Sequence, residues 1–362
     1  MTILYRYELK KLLCRPLGII LLSCTLALSV LAAVVNAQQA LPVAAHWEGY
    51  QSGPSLPQAS WDALSAQGDF LLNQRVTGQP LTQPEREALA RYEGAAAART
   101  PASAQPIQPA AEEKALLEET ARLEKRPIKA GYTGSASWLF SALSLGFLIP
   151  ALSMPFFLDG LFAEDARCGM DALQFSARFG RRRLLFCKLF AAVTVWLPVT
   201  VVCALLALLP PVLADPHTDW DASIQLLFPQ AAYPLSLGQT AAILLSAGVL
   251  LSLSSALISL LLSNCCKAPL LGAFGGCVLV LFPLLRYLPA LPEALSRALR
   301  WNLTSLLFGK DGNWDWLTIF DGVTLGGRFF SQMPLLLFLG GCLAVALLLG
   351  NICRFLTRQV RG

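Results

Sequence analysis

Six long stretches of this chain, residues 17–35, 138–158, 189–213, 237–263, 270–285 and 334–353, contain no aspartate, glutamate, lysine, arginine or histidine. A helix needs about 20 apolar residues to cross a ~30 Å hydrocarbon core. Five of the stretches reach that length, and the fifth in order reaches it by extending towards Leu288. Lipid offers no partners to exposed backbone N–H and C=O groups, so spans of this kind are helical, and their uniform apolarity does not fit the alternation of a membrane barrel. Only 14% of the 362 residues are charged and 55% are hydrophobic, against roughly 25% charged in a soluble domain. That balance excludes a cytosolic enzyme, a nucleic-acid binder and a disordered chain. The expected fold class is an all-α polytopic membrane protein with six transmembrane helices.

Basic residues set the orientation. With six spans, the two ends and alternate connections share one side, and these short segments hold 14 of the 28 Lys and Arg. The far longer opposite side holds the other half, so the positive-inside bias places both termini in the cytoplasm. All ten cysteines fall in spans or cytoplasmic segments, which keeps thiols from an oxidising face and predicts no disulfides. The resulting division is a cytoplasmic interfacial helix over 1–16 leading into span 17–36, an extracytoplasmic insertion over 37–135 and span 136–158. A cytoplasmic loop over 159–188, span 189–213, an outside loop over 214–236 and span 237–263 follow. A cytoplasmic turn over 264–268, span 269–288, an outside loop over 289–331, span 332–353 and a cytoplasmic tail over 354–362 complete it. The first apolar run is 19 residues long, longer than a cleavable signal core of about 7–15, and reads as a retained anchor.

The insertion carries 9 basic and 11 acidic residues. Thr82 and Pro84–Glu85 open one helical pattern, with Arg91 and Arg99 later, as the helix dipole prefers. Residues 111–126 form a second, with Leu116, Leu117 and Leu123 on one side, and Pro127 stops it. A projecting helical hairpin is the simplest reading, serving as a spacer that packs on a second copy or as a substrate-capturing element. His46 and His217 are isolated from one another and from cysteine, so neither reads as a metal ligand. In the last outside loop, residues 292–308 are amphipathic, and Trp301, Trp314, Trp316 and Phe320 suit the headgroup level.

The loop over 159–188 has an acidic start at Glu164 and Asp165, then Gly169, Leu173 and Phe175, Gly180, and a basic exit from Arg181 to Lys188. This pattern resembles the corresponding loop of ABC-2-type transporter permeases, particularly bacterial ones encoded apart from their ATPase. Residues 4–13, with Glu8 before Lys10 and Lys11, are similar to that family's interfacial helix. The hydropathy plan is similar throughout. One departure is Arg167, which stands between the acids and Gly169. The resemblance implies a dimer with a second permease copy or paralogue, and a separate ATPase coupled through Glu164, Asp165, Gly169, Leu173, Gly180, Arg181 and Lys188. It implies an ATP-driven exporter in the cell membrane.

Physical reasons agree. A short helix with one apolar stripe suits a helix-in-groove contact with an ATPase, and Arg181–Arg183 also serve as membrane-surface anchors. No Gly-x-x-x-x-Gly-Lys-Ser/Thr occurs, and Gly309–Lys310 lacks both the earlier glycine and the hydroxyl, so ATP hydrolysis is expected in a partner chain. No catalytic, cofactor or metal constellation is read. The spans hold no carboxylate for proton or Na⁺ coupling. Ser252, Ser255 and Ser259 sit at helical spacing in the fourth span, and Gly272 and Gly276 in the fifth form a small-x-x-x-small pair; both sets suit close helix packing or the lining of a path. Pro150, Pro155, Pro198 and Pro283 mark kinks or breaks. The alternative reading is a non-transporting membrane anchor or regulatory subunit.

Overall fold

The computed structural model describes residues 2–13, 16–44, 129, 131, 133–168, 180–228, 231, 233, 235–265, 269–288, 291–309, 314–318, 322–325 and 328–357. The helical patterns expected at 82–99 and 111–126, His46, Gly169, Leu173 and Phe320 lie outside these residues. In chain order the elements are α1 (Thr2–Leu13), α2 (Pro16–Ala44), α3 (Ala136–Leu158), α4 (Gly160–Arg167), α5 (Gly180–Ala214), α6 (Leu237–Cys265) and α7 (Pro269–Leu281). After them come α8 (Glu293–Leu299), α9 (Thr304–Leu307), α10 (Asp315–Thr318), the strands β1 (Gly322–Leu325) and β2 (Arg328–Ser331), and α11 (Gln332–Thr357).

The molecule is mostly helical. Among the described residues five helical stretches are long and apolar enough to cross a membrane: Ala136–Asp165, Arg182–Ala214, Leu237–Cys265, Leu270–Tyr287 and Gln332–Thr357. A shorter apolar helical stretch, Ile19–Val35, lies within α2. Two features depart from the sequence reading. An antiparallel hairpin pairs Gly322 with Ser331 and Leu325 with Arg328, a small addition to the helical class expected. The amphipathic segment 292–308 is also two short helices rather than one. Between them Asn302 Oδ1 accepts from the Thr304 backbone N–H at 3.1 Å, an Asx turn ahead of α9.

Two apolar clusters are stacked along the bundle. One joins the beginnings of α3 and α6 to the loop helices, through Phe140, Phe147, Leu244, Leu306 and Trp316. The other joins α1, the end of α3, α4, the start of α5 and the end of α11, through Leu12, Leu158, Leu184, Ala191 and Phe355. Trp314 and Trp316 belong to the first cluster, not to a headgroup belt. Their indole N–H groups donate to the Leu307 and Leu306 carbonyls, at 2.8 and 3.0 Å, and Phe140 and Phe228 meet Trp314 edge-on. Burial with the N–H satisfied is the other stable setting for an indole.

The seam of α3, α6 and α7 is built from hydroxyls and carbonyls. Pro155 has no N–H, so the Ala151 carbonyl in α3 loses its helical donor. Ser255 Oγ of α6 donates to it at 2.6 Å. One turn on, Ser259 Oγ donates to the Pro155 carbonyl at 2.9 Å. Another turn on, α3 ends at Asp159, and Ser263 Oγ both donates to the Asp159 carbonyl and accepts from the Ala163 N–H, the latter at 3.0 Å. Three serines four residues apart thus tie α6 to α3, and the last of them, Ser263, splices the break between α3 and α4. Gly272 and Gly276 let α7 lie against this seam: a Cβ on Gly272 would stand 2.7 Å from the Ser259 carbonyl and against the Asp159 carboxylate, and one on Gly276 would stand 3.0 Å from the Ser255 carbonyl and against the Pro155 ring.

Candidate functional site

The feature without a packing explanation is a group of charges at the end of the bundle where α1, α4 and the start of α5 meet. Each helix contributes through its own periodicity. In α1, Glu8 and Lys11 are three residues apart and share the face carrying Leu12, which is buried. In α4, Leu161, Phe162 and Asp165 turn inwards, and Phe162 packs on Phe355 of α11. In α5, Lys188 follows the buried pair Leu184 and Leu185 by one turn.

Lys188 is 1% exposed. Its ammonium donates to the Leu161 carbonyl at 2.5 Å and to Asp165 Oδ2, and Glu8 Oε2 lies 4.0 Å away. The Phe162 ring stands 5.0 Å from the same nitrogen. Lys11 binds the other Asp165 oxygen, Oδ1, and lies 3.6 Å from Glu164 Oε2. One carboxylate therefore bridges two lysines on two different helices, and Glu8, also 1% exposed, faces the deeper of them. Tyr5 of α1 extends the joint, donating its hydroxyl to Thr194 Oγ1 of α5 at 2.9 Å. Desolvating these charges is costly and is offset only while every partner is in place. The arrangement thus fixes α1, α4 and α5 in one mutual geometry. Within the described residues it offers no catalytic constellation, and no group of three or more His, Cys, Asp or Glu there could hold a metal ion.

The structure separates the residues singled out from the sequence. Asp165 and Lys188 come together in the charge group, with Asp165 held by lysines of its own chain. Glu164 is next to them, with a side chain 40% exposed. Gly180 begins α5, and Arg181 is in its first turn; Gly169 and Leu173 lie outside the described residues. Ser255, Ser259, Gly272 and Gly276 meet in the α3–α6–α7 seam, whereas Ser252 bonds back to the Val249 carbonyl of its own helix, at 3.1 Å. Two members of the charge group, Glu8 and Lys11, were read only as part of the interfacial-helix pattern and not as partners of the loop. Glu8 carried a signal: it is the sole acidic residue before Glu48, in a flank otherwise basic. An acid in that position has no role in setting orientation, so it points to a lysine partner instead.

No protein-family model, curated protein or solved structure matches the chain.

Proposed function

We propose that this chain is the membrane-spanning permease subunit of an ABC-2-type, ATP-driven bacterial exporter, crossing the cell membrane six times with both termini in the cytoplasm. It works as a dimer with a second permease chain and takes its driving force from a separate ATPase subunit through the loop over 159–188. The observation that carries the reading is the bridging of Lys11 and Lys188 by Asp165. A permease without a nucleotide site of its own needs a stiff joint between the loop that meets the ATPase and the helices that must move. Here the loop's first helix, α4, is tied by ion pairs to α1 and to the start of α5, and by Ser263 to α6. Movement of α4 is thereby passed to three other elements, α1, α5 and α6.

Within this proposal Asp165 is a structural member of the joint. The contact with the ATPase falls to Glu164 and to the stretch from Gly169 to Leu173. Because Ser255 and Ser259 are taken up by helix packing, the cargo path runs between two copies of the chain rather than along the α6 serines. Purification of the full chain from its native membranes, with identification of the bound proteins, tests this. The expected companion is a soluble-domain ATPase with its own phosphate-binding loop. Recovery of the chain without any ATPase, from membranes in which that loop is intact, would overturn it.

A further inference from the structure

The charge group leaves this end of the molecule with an uneven surface. Two of its described acids are turned inwards, Glu8 and Asp165 against Lys188, and the third, Glu164, is partly exposed beside Lys11. The exposed charges on the same helices are basic, namely Arg6 and Lys10 on α1, Arg167 at the end of α4, and Arg182 and Arg183 in the first turn of α5. On α1 the basic residues do not stand on a polar face. Ile3 is 87% exposed and Tyr7 60%, and with Leu13 they alternate with Arg6 and Lys10 along one side of the helix. A soluble surface does not favour such a mixture. The membrane–water boundary does, because apolar and aromatic side chains enter the acyl edge while the cations stay at the phosphates.

The position of α1 supports the same environment. The Tyr5–Thr194 bond sets the first turns of α1 beside a residue within the apolar run that starts at Leu189. Glu8 and Lys11, further along α1, meet Lys188 and Asp165 just before that run begins. α1 therefore runs along the start of the apolar part of α5.

We propose that the outer face of α1, with Arg6 and Lys10 reinforced by Arg182, is a binding surface for anionic phospholipid headgroups. Phosphatidylglycerol is the probe of choice because its phosphate is not balanced by a cationic headgroup. The inference rests on the membrane placement proposed above and not on transport. Pairing Glu8 with Lys188 then has a second consequence, since it removes the one acid that would repel lipid phosphate from this face.

The test measures retention of phosphatidylglycerol and of phosphatidylcholine by the detergent-purified full chain, by native mass spectrometry across a lipid titration. The wild type should prefer phosphatidylglycerol, and that preference should fall as salt is raised. Arg6→Gln should reduce it about fivefold, and Arg6→Gln with Lys10→Gln about thirtyfold, on the scale of a basic residue at an anionic surface. Both residues are exposed, so the thermal midpoint should not move. Equal retention of the two lipids by the wild type, or an undiminished preference in the double variant, would overturn the proposal. So would a double variant that keeps its lipid but loses a co-purifying protein, because the face would then be a protein contact. The readout needs no ATPase, so its failure leaves the permease reading standing, and failure to recover an ATPase leaves the lipid site standing.

Discussion

The joint of α1, α4 and α5 and the seam of α3, α6 and α7 hold helices together by opposite means. The joint uses full charges, Lys11 and Lys188 against Asp165, with Glu8 and Glu164 beside them. The seam uses neutral hydroxyls: Ser255 and Ser263 on carbonyls that a proline and a helix break leave without their usual donors, and Ser259 on the Pro155 carbonyl, which also keeps the Asp159 N–H. The difference follows depth. The seam runs through apolar spans, where an unpaired charge would be very costly and a serine is not. The joint sits at the end of the bundle, where charges are gathered as the chain leaves the apolar stretches. The consequences for failure differ as well. A missing hydroxyl leaves a carbonyl unsatisfied, whereas a missing ion leaves an uncompensated charge in a closed space.

The largest effect should therefore come from the joint. Lys188→Met removes the ammonium that faces both Asp165 and Glu8, and should cost about 3–5 kcal/mol of stability, as breaking a buried pair from one side does. Thermal unfolding in detergent would show it, and adding Asp165→Asn to the same chain should recover part of the loss. A cost below about 1 kcal/mol would mean that the group is solvated and that the contrast with the seam is false.

At the seam, Gly272→Val should rank next. Its side chain would collide with the Asp159 carboxylate and the Ser259 carbonyl, for an overpacking cost of about 1–3 kcal/mol. Ser263→Ala strands two backbone groups at once, the Asp159 carbonyl and the Ala163 N–H, at about 1–3 kcal/mol in the same assay. Ser255→Ala should cost less, near the ~0.6 kcal/mol average of hydrogen bonds between membrane helices. If Ser255→Ala proved the more damaging, the splice at the α3–α4 break would not be the critical bond of the seam. The smallest effect belongs to Glu164→Gln, because its side chain is partly exposed and the pair with Lys11 is at 3.6 Å. A change of about 0–1 kcal/mol is expected in stability, with a clear loss of ATPase co-purification if this residue meets the partner.

How much of this was legible depends on which physical signal each part leaves. Apolar runs without charge announce membrane-crossing helices directly, because burial in lipid permits little else. The end of α3 at Asp159 and the close approach at Gly272 and Gly276 were hinted at by Pro155 and by the glycine spacing. The bonds of Ser255, Ser259 and Ser263 to carbonyls 104 residues earlier require knowing which helices adjoin. Lys188 was expected, from the resemblance, in the contact with an ATPase, and nothing in its basic flank marks it as buried. Only the acid on α1 and the fold of α4 reveal it as buried. The hairpin of β1 and β2 has strands of four residues each, too short for alternation to stand out, and Trp314 and Trp316 before it, expected at headgroup level, are buried instead.

The central claim is that α1, α4 and the start of α5 move as one body that carries ATPase motion into the spans. The most direct measurement is electron–electron distance spectroscopy on the chain reconstituted with the ATPase proposed as its partner, with spin labels at the exposed positions Lys10 and Arg167 and, in a second sample, at Arg167 and the exposed His217 of the loop after α5. Adding a non-hydrolysable ATP analogue should leave the 10–167 distance unchanged and shift the 167–217 distance. A 10–167 distance that changes with nucleotide while 167–217 stays fixed would contradict the account.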